Sequence, residues 1–377
     1  MAISSKVYGK SQYAIGIKQK DATAFETAGA TDTAYQLLPV INVSAPVLNL
    51  VESGEIRSNN AGMIETDFDQ FRSRKGGFVT LDFEVPAERA GLVRLLANVL
   101  QDHSQSGSNP YVHTIEASSS NALSRPDLSS SASASSVGIP SLFDIGLYGP
   151  ATGEDKIMTS ATLQSLTMNF DMTDGRLLLN GTFYSGFASS TGFLVGQTLS
   201  YTSGLDTITD PVLMSTSPTQ IESYFDTKQF DVNGVATDAI ITAVSFTFEN
   251  NVARVGRDAN GDAEAYAFGV PSVNITGEIS FMYDGNYNDG ANNVLQDFLD
   301  GTPATLTLQQ GDGTVSSVGE MNITAEVYST AVNYDLNADT GAIITIPFKV
   351  VQPTSSGAVS GTAFKFEFCD AVTNSSW

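Results

Sequence analysis

Hydrophobic and polar residues alternate along most of this chain, and the alternating segments are separated at short intervals by Gly, Asn, Asp and Ser. The segment 79–85 is the clearest case, with Val, Leu, Phe and Val on one face and Thr, Asp and Glu on the other. A period of two residues is typical of strands with one buried and one wet face. The pattern therefore predicts a mainly β fold.

Helical periodicity is rare by comparison. Pro86 ends the strand just described, and leucines and valines recur at helical spacing through Ala87–Gln101, which predicts a helix there. Further strands are predicted at Tyr13–Lys18, Ile41–Val51, Leu142–Tyr148, Ala161–Met172, Arg176–Phe187, Ile240–Glu249 and Val273–Tyr283, and the unit that contains Ile41–Val51 begins near Leu37–Val40.

The order of these segments repeats. In each half a strand leads into a long polar excursion, Glu52–Gly77 or Asn250–Pro271, and then into an alternating strand. Apolar positions of the predicted helix recur at Val294–Leu299, and the closing hairpin Leu163–Phe183 has a counterpart at Met321–Phe348. The repetition predicts an internal duplication.

The chain thus divides into two predicted domains. We place them at residues 1–200, which include a Ser-rich surface loop at 118–136, and residues 201–377. The boundary lies in the Gly/Ser/Thr-rich bridge Ala188–Pro211.

The net charge of −23 changes the range of possible partners. Residues 1–200 hold 19 acidic and 13 basic side chains, whereas residues 201–377 hold 22 acidic and only 5 basic ones. DNA affinity depends mainly on Lys and Arg that neutralise phosphates, so tight DNA binding is not expected. Such a surface is instead suited to repelling DNA.

Candidate catalytic residues are few. His103 and His113 are the only histidines, with Asp102, Ser104 and Glu116 nearby. The sequence lacks the nucleophile and metalloprotease motifs that would give these residues a catalytic partner. We therefore interpret both as surface histidines beside a helix end, and the chain as not an enzyme.

Two acidic loops resemble calcium loops in spacing their oxygen ligands two residues apart. The residues are Asp258, Asn260, Asp262, Asp335, Asn337 and Asp339. Neither loop combines a glycine at its sixth position with a glutamate at its twelfth, and the same residue types are selected by tight turns. Turns are the favoured interpretation, and no metal or cofactor is predicted.

Arg72, Arg74 and Lys75 form the densest basic cluster. The cluster lacks the width and the aromatic partners of a nucleic-acid site, and it leads into a strand, so nucleotide-binding loops are excluded. In so acidic a chain it predicts a subunit interface with an acidic neighbour.

Cys369 is the only cysteine, which excludes an internal disulfide, and it is expected to be a small apolar residue near a final strand. No apolar run long enough to cross a bilayer occurs, and the first residues lack the pattern of a secretory signal. We expect synthesis in the cytoplasm without membrane insertion.

The order of elements resembles a known family. The elements follow one another in this order: a short strand at Tyr13–Lys18, a Thr/Ala-rich loop, Leu37–Val40, a strand, a long polar excursion, a strand beginning near Gly77 and a helix. This succession is similar to that of the tail tube proteins of long-tailed bacteriophages. The resemblance implies two β-sandwich or barrel-like tube domains, each with one flanking helix, that assemble into a continuous β-barrel tube.

The resemblance also implies partners and a location. Family tubes are commonly six-fold, so a chain with two tube units would form rings of three chains that stack into a tube. The tube would meet the tape measure, terminator and distal tail proteins and pass DNA without binding it specifically. The protein would be assembled in the host cytoplasm and belong to the virion tail.

Two other classes remain open. The first is a carbohydrate-binding or adhesin-like β-sandwich on a surface, with Tyr283, Tyr287 and Trp377 as sugar platforms. The second is a β-sandwich or β-helix hydrolase acting through paired carboxylates, which leave no local signature in a sequence.

Overall fold

The computed structural model describes the backbone of most strands and of one helix. The described residues are 14–19, 36–38, 40–54, 70–86, 89–108, 110–118, 143–148, 155–171, 176–185, 193–197, 230–232, 235–236, 241–257, 265–269, 272–282, 303–310, 315–336, 341–355, 358–359 and 361–370.

The first half contains strands β1 to β11 and the helix α1. Their bounds are β1 Ala14–Gln19, β2 Gln36–Leu38, β3 Asn42–Val43, β4 Val47–Gly54, β5 Gln70–Pro86, α1 Arg89–Leu100, β6 Ser104–Gly107, β7 Tyr111–Ser118, β8 Phe143–Tyr148, β9 Asp155–Asp171, β10 Arg176–Ser185 and β11 Phe193–Gln197.

The second half contains strands β12 to β24. Their bounds are β12 Phe230–Val232, β13 Val235–Ala236, β14 Ile241–Asn250, β15 Ala253–Arg257, β16 Ala265–Gly269, β17 Val273–Met282, β18 Ala304–Gln310, β19 Met321–Ser329, β20 Asn333–Asp335, β21 Ile343–Val350, β22 Thr354–Ser355, β23 Ala358–Val359 and β24 Thr362–Asp370. The predicted mainly β fold is confirmed.

Antiparallel pairing joins strands of both halves into one sheet, which we call the main sheet. Its order is β3 and β4, then β5, β10, β9, β14, β17, β21 and finally the end of β19 with β20. The two halves meet where β9 pairs with β14. The main sheet is therefore continuous across the middle of the chain.

Two smaller sheets flank it. The first flanking sheet has the order β2, β1, β8, the first part of β9, and β11. The second has the order β13, β12, β18, the first part of β19, β24, β7 and β6. Because β7 belongs to the first half and β24 to the second, the halves are joined here too.

The pairings of the first half occur in the same order in the second. In the first half β1 pairs with β2 and β8, β5 with β4 and β10, and β9 with β8, β10 and β11. In the second half β12 pairs with β13 and β18, β17 with β14 and β21, and β19 with β18, β21 and β24. Each half therefore contains the same arrangement of neighbouring strands.

The long strand β9 passes from the first flanking sheet into the main sheet through an irregular stretch. Ser160 has a positive φ of 50°, the pairing register with β8 shifts around it, and the register with β10 shifts between Leu163 and Ser165. Its buried N–H donates to the Oδ1 of Asp144 at 3.0 Å. Bulges of this kind bend a strand, which lets one segment serve two sheets.

One hydrophobic core extends through both halves. Helix α1 lies within it, with its residues 92–100 buried, and packs on β9, on β7 and on β14 of the second half. Rings of Phe246 and Phe248 from β14 contact Phe364 of β24 edge-on, which closes the core between the main sheet and the second flanking sheet.

Gly277 is the one glycine that interrupts the apolar face of β17. A Cβ at this position would lie 2.5 Å from the ring of Phe348 on β21 and would also meet the carbonyl oxygen of Ser245 on β14. The neighbouring ring thus occupies the space of the missing side chain, so this position belongs to the core although its residue is small.

Several predicted bounds need correction. The strand expected at Ile41–Val51 is interrupted at Ser44–Pro46, where a proline cannot continue a regular ladder. The prediction that the polar excursion continues to Gly77 is wrong for its last part, because β5 begins at Gln70. The excursion Asn250–Pro271 holds the small hairpin of β15 and β16, and the bridge after Ala188 holds β11.

The helix expected at Ala87–Gln101 is confirmed as α1. Its predicted counterpart at Val294–Leu299, the Ser-rich loop at 118–136 and most of the bridge lie outside the described residues.

Candidate functional site

The main sheet has one face in the core and one polar face. Cross-strand rows on the polar face consist almost entirely of hydroxyl, amide and carboxylate side chains. One row runs from Glu84 through Asn180, Thr167, Thr247 and Thr276 to Lys349. Another row contains Asp82, Thr182, Ser165 and Glu249. The polar face thus crosses both halves without a break.

Hydrogen bonds between neighbouring strands hold these side chains in place. The Oγ1 of Thr182 donates to the Oδ1 of Asp82 at 2.7 Å. The hydroxyls of Thr167 and Thr247 lie 3.1 Å apart across the junction of the two halves. Because such pairs fix the rotamers of both partners, the polar face is an ordered surface.

The charged side chains described on this face are mostly acidic. Its carboxylates are Asp82, Glu84, Glu249, Glu278 and Asp335, and the only positive charge among the described side chains of this face is Lys349. A surface that presents like charges over several strands creates a repulsive potential for phosphates. The face can therefore pass or exclude a polyanion and is poorly suited to binding one.

A shallow groove of about 540 Å³ lies on the polar face over β5, β10 and β9. Its lining is mainly polar and includes Asn42, Ser44, Asp82, Glu84, Thr167 and Thr182. It holds neither histidine nor cysteine, so it lacks the groups that most often act as bases or nucleophiles near neutral pH.

Both ends of the main sheet are open among the described residues. At one end β3 and β4 pair only with β5, and at the other end β20 pairs only with β21. Exposed apolar side chains gather there: Ile41 and Val47 are 55% and 51% exposed, and Tyr334 and Leu336 are 53% and 71% exposed. Unpaired strand edges with apolar side chains are sites of further strand pairing.

The predicted surface histidines are placed differently. His113 on β7 is fully buried, because β7 is covered by β24 and by α1 rather than lying in a loop. Its Nδ1 lies 3.0 Å from the Nε2 of His103, and the two rings stack. The interpretation as surface histidines is therefore wrong for His113, and His103 is itself half-buried.

Burial controls the protonation of His103. Burial, as the larger cause, and the charge of His113 together lower the pKa of His103 to about 4. Burial also raises the pKa of Asp102, whose carboxylate accepts a hydrogen bond from the N–H of Glu116 at 2.7 Å. The arrangement is a hydrogen-bonded pair of a buried and a half-buried imidazole, in which His103 is neutral near pH 7.

The basic cluster lies within β5, where Arg72 is paired in register with Glu52 of β4. Its backbone is thus part of the strand next to the open edge of the main sheet. The side chains of Arg72, Arg74 and Lys75 are not among those described, so the predicted interface role stays a prediction.

Of the six possible metal ligands only Asp335 is described, and it is an exposed residue of β20. The remaining ones lie outside the described residues. Within the described part of the chain, no three His, Cys, Asp or Glu side chains come together as a metal site would require. Tyr283, Tyr287 and Trp377 are also outside it.

The open edges are the part of this site that sequence reasoning missed. A signal existed in Tyr334 and Leu336, two large apolar residues that flank Asp335, where the turn predicted at Asp335–Gly341 begins. Only their exposure in the folded chain shows that they belong to an open edge.

The described part of the chain holds no helix of the length and hydrophobicity that crossing a membrane requires. A comparison with models of known protein families finds no match to this chain. A comparison with curated proteins also finds none.

Proposed function

We propose that this chain is a structural subunit that closes with copies of itself into a hollow ring, and that stacked rings form a phage tail tube that conducts DNA. The observation that carries the proposal is the repeated order of strand pairings, together with the continuous sheet that the two halves build.

The repetition supports a duplicated tube domain. Each half supplies one block to the main sheet, β4–β5–β10–β9 from the first and β14–β17–β21–β19 with β20 from the second. The last strand of the first block pairs with the first strand of the second. Within one chain, the first block already pairs with the second through an antiparallel junction of strands. One further junction of the same kind would join the chain to another copy.

A repeated junction that turns by a constant angle closes into a ring. Closing the sheet also removes both open edges, which otherwise favour uncontrolled association. With two blocks per chain, the six-fold symmetry common in tail tubes corresponds to three chains per ring.

The charge of the polar face supports the choice of a conduit over a solid fibre. In a closed ring the core face is covered by the flanking sheets and α1, so the polar face lines the interior. Carboxylates and hydroxyls there repel phosphates, and DNA can move past without being held.

Electron microscopy of the purified protein at increasing concentration tests this proposal. We expect rings or tubes with a central channel, and a mass of three chains for the smallest ring by mass photometry. Solid fibres, or a protein that stays monomeric at every concentration, would contradict it. Saturable binding of a glycan by such monomers would support the adhesin-like alternative.

A further inference from the structure

The two open edges of the main sheet correspond in pairing register to the two strands that meet at the internal junction, with one extra residue between β3 and β4. This correspondence can be followed through the pairing registers, starting with β20. On β9 Met168 is the partner of Leu179, and on β20 Tyr334 is the partner of Ile344. Leu163 is likewise the partner of Phe183, as Ser329 is of Phe348. 

In both comparisons, the residue number on β9 differs from that of its counterpart on β19 or β20 by the same amount. The displacement places Phe170 on Leu336, Met168 on Tyr334 and Leu166 on Val332. The second strand of each hairpin is displaced consistently as well, because Leu179 corresponds to Ile344 and Phe183 to Phe348.

Corresponding positions differ sharply in exposure. Met168 and Phe170 are 0% and 1% exposed, whereas Tyr334 and Leu336 are 53% and 71% exposed. The difference has a clear cause, since β14 covers β9 and no described strand covers β20. The exposed side chains on β20 and directly after it thus correspond to those that a neighbouring strand covers at the internal junction.

The other open edge corresponds to β14. Val43 is the partner of Phe83, as Val244 is of Ile279, and Leu48 is the partner of Val79, as Phe248 is of Ile275. The dipeptide Val-Ser occurs at both places, as residues 43–44 and 244–245. The edge made of β3 and β4 therefore presents the pattern with which β14 meets β9.

Volumes across the junction also match. In the internal junction Met168 meets Phe246. At the open edges the larger side chain is on the other strand, because Tyr334 corresponds to Met168 while Ala45 and Pro46 stand where β14 has Phe246. A large residue facing small ones fills the same space as a medium residue facing a large one.

We infer that β20 of one copy of this chain pairs antiparallel with β3 and β4 of the next copy, in the register of the β9–β14 junction. Leu336 then lies opposite Val43, Asp335 opposite Ser44 and Val332 opposite Leu48. Because the Oγ of Ser44 accepts a hydrogen bond from the N–H of Asp82, its hydroxyl proton can be donated to Asp335. This inference rests on the proposed self-assembly and specifies its interface.

Cysteine pairs test the register directly. Partners in an antiparallel ladder have Cα atoms about 4.5–5.5 Å apart, which suits a disulfide. A chain carrying Val43→Cys and Leu336→Cys should form covalent dimers and trimers under mild oxidation. The matched control carries Ser44→Cys and Leu336→Cys, which differs by one residue and places the two thiols on opposite faces of the sheet. Unmodified protein is the background control, since its only cysteine, Cys369, is buried.

The outcomes separate the interface from the tube. Covalent multimers of the variant with Val43→Cys and Leu336→Cys, but not of the control, support the inference whether or not hollow tubes appear. If such multimers form without hollow tubes, the proposed function is contradicted and the inferred interface is not. If hollow tubes form but the Val43 variant does not cross-link, or cross-links no better than the control, the inferred interface is wrong. The proposed tube function is then still supported. Monomers that never link overturn both.

A second variant avoids any dependence on disulfide geometry. Leu336→Asp should abolish assembly while leaving the thermal midpoint of the monomer unchanged, because the side chain is exposed in the isolated chain. The control Val318→Asp changes a residue that is 41% exposed in a turn away from both edges, and it should assemble normally. Assembly of the Leu336 variant at the concentration used by unmodified protein would overturn the inference.

Discussion

His103 and His113 illustrate how single residues take their properties from the fold. Two imidazoles 3.0 Å apart form a hydrogen bond only while one nitrogen donates and the other accepts. Protonation of His103 would place a charge in a half-buried site beside a second histidine, so burial holds its pKa at about 4. The pair is therefore part of the packing between α1, β6 and β7.

This pair predicts a loss of stability on acidification. Unfolded His103 takes up a proton near pH 6.5, whereas the folded residue does so only near pH 4, so the unfolded state binds more protons in between. Stability should consequently fall as the pH is lowered from 6.5 towards 4. In His103→Gln the amide can still donate to His113, and the drop in thermal midpoint between pH 7 and pH 5 should be smaller.

The comparison is made between variant and unmodified protein, because many carboxylates also titrate below pH 5. Asp102 has a raised pKa through burial, and its proton uptake acts in the opposite direction, favouring the folded state at low pH. Equal pH dependence of both proteins above pH 5 would contradict the prediction for His103.

Elements of the two halves are joined by a buried polar contact at the irregular stretch of β9. The Oδ1 of Asn98 on α1 accepts a hydrogen bond from the N–H of Leu163 at 2.8 Å. The Nδ2 of Asn250 on β14 donates to the carbonyl oxygen of the same Leu163 at 2.9 Å. The helix and the second half thus satisfy both backbone groups of Leu163, just beyond the end of the β9–β14 pairing at Ser165.

Asn98→Ala should destabilise the chain by about 1–3 kcal/mol, because it leaves a buried N–H without an acceptor. The decrease should appear as a lower urea midpoint with an unchanged slope. The matched control is Asn251→Ala, which removes an exposed contact to Ser272 and should change the stability by less than about 0.5 kcal/mol. Similar midpoints for both variants would show that the contact at Leu163 is dispensable.

Prediction from sequence was strongest at the level of elements with a clear period. The alternation of 79–85 identified β5, and the hairpin predicted at Leu163–Phe183 identified the pairing of β9 with β10. The start of β9 at Asp155 was missed, since Thr159, Ser160 and Thr162 break the alternation with buried polar residues. Their burial depends on partners such as Asp144 and Ser185, which are distant in the chain.

For the whole molecule, the acidic polar face predicts that the protein does not retain DNA. Unmodified protein should show no binding of a short duplex even at about 50 mM salt. Glu249→Lys with Glu278→Lys reverses two exposed charges on the polar face and should produce salt-sensitive binding with a Kd of about 10⁻⁴–10⁻⁶ M. Retention of the DNA duplex on immobilised protein measures the binding of the unmodified protein and of the variant.

The matched control makes the same change of charge on the second flanking sheet, with Glu326→Lys and Glu367→Lys. In assembled tubes this control should bind no DNA inside the channel. If it retains DNA as strongly as the polar-face variant, net charge alone decides binding and the polar face has no special part in it.

By itself the sequence determined the features that depend on residues close in the chain. Alternation gave the mainly β class and β5, helical spacing gave α1, and the repeated order of segments predicted two similar halves. Composition determined the acidic character that disfavours DNA binding. Local periodicity and charge are properties of the chain before it folds, so they can be deduced without coordinates.

Only the tertiary structure decided which strands meet and which edges stay open. Pairing joins residues far apart, such as Phe246 with Met168, and it decides that Phe170 is buried under a neighbouring strand while Leu336 is exposed. The same holds for His113, whose burial depends on β24 at the opposite end of the chain. Non-local pairing carries no local signature, because either face of an alternating strand can meet many partners equally well.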